Sequence, residues 1–136
     1  MRRYLLSALF AATLALMVAG PAAADRPIEI SDTDTFVDVD PCTGLVQEVT
    51  IAVTFLVHEH GHVTVARGVR TLTTTGGYVG RGTSSFVSNG NVEVFRFTDL
   101  LADGSGNRIR ASGVFVVDLA SGSIRVDKFS LTCLGS

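Results

Sequence analysis

The chain has 136 residues with 11 basic and 13 acidic side chains, and Lys128 is its one lysine. That balance excludes the basic surplus and clustered Lys and Arg expected of a nucleic-acid binder. Its length suits one domain.

The first segment reads as a targeting signal. "MRR" gives a positive start, "YLLSALFAATLALMVAG" an apolar run, and "PAAAD" a small-residue site with Ala22 and Ala24. This three-part pattern predicts a secretory signal peptide over residues 1–24, cleaved between Ala24 and Asp25. An uncleaved anchor is the competing reading, but the run is short for a spanning helix. No cysteine follows it directly, and the closing "LTCLGS" is not a hydrophobic tail. The expectation is a secreted, extracellular chain over residues 25–136, with no transmembrane segment once mature. Losing Arg2 and Arg3 leaves nine basic residues against thirteen acidic, a formal charge of −4.

After the signal, helical spacing is not sustained anywhere. "TFVDVD" alternates and stops at the turn "PCTG". "LVQEVTIAVTFLV" places Leu45, Val49, Ile51, Val53, Phe55 and Val57 on one face and Glu48, Thr50 and Thr54 on the other, which predicts a strand with one side in a core. "HVTVARGVRTLTTT", the pair Gly76–Gly77 and "YVGRGTSSFVS" follow. Asn89–Gly90 predicts a hairpin with a type I′ turn, which needs positive φ at both positions. "NVEVFRFTDLL" then runs to the turn "DGSGN". "RIRASGVFVVDLA" places Ile109, Ala111, Gly113, Phe115, Val117 and Leu119 on one face. "SGS" turns the chain into the last run, "IRVDKFSLTCL".

About seven strands in up-and-down order predict an all-β meander that curls into a small barrel, with a two-sheet sandwich as the alternative. Gly68, Gly80, Gly82 and Gly113 interrupt the strands as the bends of a tight barrel require. The expected core includes Ile51, Val53, Phe55, Phe115 and Val117. In an exported chain Cys42 and Cys133 read as one disulfide tying the start of the sheet to its end.

The run "DPCTG", then "GGYVGRG", "LLADGSGN" and a last strand ending in Cys resembles a group of small secreted actinobacterial proteins with an Asn-Pro-Cys-Thr-Gly-Glu type motif. The resemblance covers most of the mature chain. Asp40 stands where that group usually has Asn, and Leu45 where it usually has Glu. It implies a fold and carries over no catalytic or binding residue.

Two constellations could carry chemistry. His58, His60 and His62 are the only histidines. His58 and His60 share a face if the strand continues, and a turn at Gly61 would swing His62 onto the next strand. Three converging imidazoles could hold zinc or copper, while an exposed hairpin tip is the plainer expectation. Arg67, Glu93 and Arg96 are embedded in strands; facing inward, they would give an apolar pocket its polar groups, while ordinary exposed charges are the plainer expectation. No Gly-x-Ser-x-Gly elbow, phosphate loop or helix–loop–helix calcium site is present. Asp38 and Asp40 sit beside a turn, and "DGSGN" offers too few oxygens for a good calcium site. No cofactor is implied. The sequence therefore predicts a non-enzymatic module that binds a small apolar or amphipathic ligand or acts as an interaction protein in the cell envelope. The alternative is a metal binder or enzyme built on His58, His60 and His62.

Overall fold

The computed structural model describes residues 26–135, with the backbone alone at residues 126 and 127. The expected signal peptide and its cleavage point lie outside the described residues. Seven strands follow one another: β1 (Ile28–Val39), β2 (Val46–His60), β3 (Val63–Thr74), β4 (Val79–Ser88), β5 (Val92–Ala102), β6 (Arg108–Asp118) and β7 (Ile124–Cys133). They form one sheet in the order β1-β2-β3-β4-β5-β6-β7, every neighbour antiparallel. The predicted meander is thus present, and no second sheet exists among the described residues. No helix among them is long and apolar enough to cross a membrane.

The sheet curls into a half-barrel. Its ladders run from β1 to β7 and do not continue between those two strands. Side chains bridge the gap: Ile28 and Ile30 of β1 and Phe129 and Leu131 of β7 pack on one cluster built around Phe55, Phe86, Phe95, Phe97 and Phe115. The disulfide joins Cys42, in the β1–β2 loop, to Cys133, with Cα atoms 5.0 Å apart.

A complete ladder would have removed the exposed edges; here β1 keeps one and blunts it. The backbone N–H groups of Thr33, Thr35 and Val39 donate to the carboxylates of Asp32, Asp34 and Asp38 at 2.7, 2.8 and 2.6 Å. Those donors are alternate residues of a strand with a neighbour on one side only, so the aspartates cap N–H groups that β2 leaves open. Capped, charged edges resist pairing with a second chain.

Period-two alternation decides what lies inside. Val53, Phe55, Phe115 and Val117 are buried as the pattern predicts. Ile51 is half-buried because it borders a cleft. Leu45 is a correction: it precedes β2 and is 69% exposed, while Gln47 takes the inner position. The curl depends on alternating large and small inner residues. One row across six strands reads Phe55, Gly68, Ser84, Phe97, Gly113, Phe129. A Cβ at Gly68 would come within 2.9 Å of the Phe55 ring, and one at Gly113 within 2.5 Å of the Phe97 ring. These glycines provide the space that the rings occupy on the crowded concave side.

The Asn89–Gly90 hairpin forms, but not as a type I′ turn. Asn89 N–H bonds the Val92 carbonyl, so Gly90 and Asn91 are the central pair. Gly90 has φ of 89°, and no residue other than glycine has positive φ among the described residues. Asn89 closes the turn with its side chain instead, Oδ1 accepting from the backbone N–H of Asn91 and Val92, both at 2.9 Å. One positive φ suffices because that amide does part of the turn's work.

Candidate functional site

The "DPCTG" loop, Tyr78 of "GGYVGRG", the "DGSGN" turn and Cys133 all lie at one end of the sheet. Asp40 is the centre of this end and only 4% exposed. Its Oδ1 accepts from the Cys42 backbone N–H at 2.8 Å and the Tyr78 hydroxyl at 3.2 Å, and its Oδ2 from the Thr43 hydroxyl at 2.8 Å. Burial first, and then the hydrogen bond to Asp40, push the Tyr78 phenol up to about 12. Asp103, the first residue of "DGSGN", accepts from the backbone N–H of Ser105 and Asn107 and from the Asn107 amide. Its oxygens are therefore committed to the turn. These motifs build a clamp.

Inside the curl lies a group that the sequence reading did not single out. Arg70 Nε sits 3.0 Å from Asp99 Oδ1, both side chains buried. The two residues lie on β3 and β5, facing each other across Gly82 of β4. A Cβ at Gly82 would collide with the Asp99 carboxylate, so glycine lets the pair meet over β4. The Arg70 guanidinium also lies 4.7 Å from the centroid of the Phe97 ring. Burial lowers the Arg70 pKa against the pull of Asp99, and burial raises that of Asp99 to about 6 against the pull of Arg70. Desolvation outweighs attraction on both sides, so this pair is a poor source of stability in itself.

Next to Arg70 a cleft of about 60 Å³ opens between β1 and β7, bordered by Phe36, Asp38, Gln47, Asp99 and Leu131. A second void of about 30 Å³ lies beyond Phe36 and Ile51 and also touches Arg70. Each has room for a few water molecules and is far below the roughly 300–1,000 Å³ of a ligand pocket.

The three charges that could have shared a pocket are separated by the sheet. Glu93 points inward and is 2% exposed. Arg67 and Arg96 are exposed on the outer face, on either side of Ser85. Parity could have shown this, since Glu93 alternates with the buried Phe95 and Phe97, and Arg96 does not.

Burial raises the Glu93 carboxyl to about 7 from an ordinary value of 4.5. The native state therefore holds this proton more tightly than the unfolded chain. The associated stability is complete below about pH 4.5 and is lost as pH rises toward 7. Glu93→Gln should melt at the same temperature as the parent at pH 4 and at a higher temperature at pH 8. Thermal melts at both pH values check it; an equal difference at each would show that Glu93 does not titrate in this window. Asp99 adds a dependence of the same sign in parent and variant alike.

The histidines occupy the β2–β3 hairpin. His58 and His60 share the outer face with rings stacked at 6.4 Å between centroids. Gly61, with φ of 64°, and His62 form the two-residue turn between the paired His60 and Val63. All three histidines are exposed. No group of three or more His, Cys, Asp or Glu able to hold a metal occurs among the described residues.

Fold and site together define a disulfide-clamped, half-barrel β-meander with a packed interior and an open outer sheet face. Comparison with protein-family models, curated proteins and solved structures found no match.

Proposed function

We propose that this chain is a secreted, non-enzymatic interaction module of the cell envelope, whose interior is scaffold and whose outer sheet face is the working surface. The observation that carries the reading is the size of the inner cleft. At about 60 Å³ it is too small for an apolar or amphipathic ligand unless the sheet opens. Charge supports the same reading. The outer face carries Arg67, Arg81, Arg96, Arg108, Arg110 and Lys128 within its strands, against Glu29, Glu48 and, at the end of β6, Asp118, although the mature chain is expected to be acidic overall. Export is supported by the disulfide, which persists in oxidising surroundings.

Native mass spectrometry of protein purified from its own culture medium tests this. The expected species begins at Asp25, is two hydrogens lighter than the dithiol chain, and carries neither organic ligand nor metal. A stoichiometric organic adduct would move the function into the cleft. A zinc adduct lost in His58→Ala would move it to the histidine hairpin.

A further inference from the structure

The strand registers place the outer-face residues in rows that run across the strands. One row reads Val69, Thr83, Thr98, Ser112 and Ser130 from β3 to β7. It continues onto β2 and β1 as Thr54 and Ser31, whose hydroxyls lie 3.0 Å apart. Apart from Val69 it is a line of hydroxyl side chains. The row on one side holds Arg67, Arg96 and Lys128, on β3, β5 and β7. The row on the other side holds Arg81 and Arg110, on β4 and β6. Each strand from β3 to β7 thus places one cation beside the hydroxyl line, on alternating sides. With strands about 4.8 Å apart, cations on the same side recur about every 10 Å.

No acidic residue stands in these three rows on β2 to β7. The five cations are exposed, and none has a carboxylate partner among the described residues. Two shallow depressions, of about 620 and 300 Å³, lie along the track. The first is bordered by Arg67, Thr83 and Arg96, the second by Arg96, Ser112 and Lys128.

We infer that this track binds a linear acidic polysaccharide lying across the strands, with its carboxylates on the alternating cations and its hydroxyls on the Ser/Thr line. The inference rests on the outer face being the working surface. Arginine pairs with carboxylate through two parallel N–H donors, so a repeating acid group has a matched partner at each step. Nucleic acid fits less well, because no aromatic side chain stands in these rows for a base to stack on. A membrane fits less well, because the exposed large apolar side chains of these rows, Leu56, Val69 and Leu100, stand singly on β2, β3 and β5 and form no continuous apolar face.

The test is binding of full-length secreted protein to polygalacturonate at low and physiological salt. Neutral dextran, single-stranded DNA and phosphatidylglycerol vesicles serve as comparisons. Arg96→Glu/Arg110→Glu should weaken polygalacturonate binding at least tenfold. Arg26→Glu/Arg125→Glu, which changes net charge equally away from the track, should weaken it less than twofold. Both variants should keep the parent's melting temperature. Equal loss in the two variants would reduce the binding to diffuse charge and overturn the track. Tighter binding of DNA or vesicles with the same Arg96/Arg110 dependence would overturn the polysaccharide and leave the outer face as the working surface. Absence of binding to every anionic probe overturns the track, while the mass spectrum separately decides whether the function lies in the interior.

Discussion

Phe115→Ala should lower the unfolding free energy by roughly 3–5 kcal/mol, the range for removing a buried aromatic ring. Phe115 is 0% exposed. Its ring stacks with those of Phe95 and Phe97 at centroid distances of 6.4 and 6.1 Å. The walls of the resulting cavity belong to strands fixed in register on both sides, so collapse onto the void is limited and the cost stays high. A small domain has about 5–15 kcal/mol in total, so the variant sits near the edge of folding. Val79→Ala removes an apolar side chain that is 66% exposed, and it should change stability by under about 0.5 kcal/mol. Urea melts of both variants give the comparison. A loss below about 1 kcal/mol for Phe115→Ala would mean that its ring is not a core ring.

The strands and their order were legible because the information is local. Alternation in "TIAVTFLV" and "RIRASGVFVV" sets which side of each strand is wet, and short turns leave antiparallel neighbours as the available pairing. How the sheet closes was less legible. Whether β1 and β7 exchange hydrogen bonds depends on the accumulated curl of seven strands, and no short stretch encodes that. The aspartates of "DTDTFVDV" did carry a signal, since acidic residues at alternate positions suit an open edge better than a paired one. At Asn89–Gly90 the dipeptide located the hairpin but not its geometry, because Asn89 can close a turn by its side chain as well as by its backbone.

The candidate site was legible only where parity was carried from strand to strand. Arg67 and Arg96 look embedded among apolar residues because Val65, Val69 and Val94 are β-branched residues on an outer face, where they stabilise a strand without entering a core. Arg70 and Asp99 share parity with the buried Leu72 and Leu101, so their burial was readable. Their pairing was not, because it spans two strands and depends on Gly82 between them. The cation track is hidden from any linear reading. Its residues lie 14 or more positions apart on neighbouring strands and become a line only when five strands are set in register.

Replacing both cysteines with serine should remove about 4–5 kcal/mol, the chain-entropy value for a loop of this size. The bridge spans a sequence separation of 91, so in the unfolded ensemble it ties together nearly the whole domain. Local contacts at the clamp survive the change: Asp40 still accepts from the Tyr78 and Thr43 hydroxyls, and the Leu134 N–H still reaches the Arg108 carbonyl. The loss should therefore arise mostly in the unfolded state, which expands when the link is cut. Denaturant melts separate the two origins. A more expanded unfolded state raises the slope m, whereas a loss confined to native contacts lowers the midpoint and leaves m unchanged. The expected result is a lower midpoint with a steeper slope. A stability change below about 1 kcal/mol would mean that β1 and β7 are held together by Ile28, Ile30, Phe129 and Leu131 alone, with the bridge locking a closure that the core already makes.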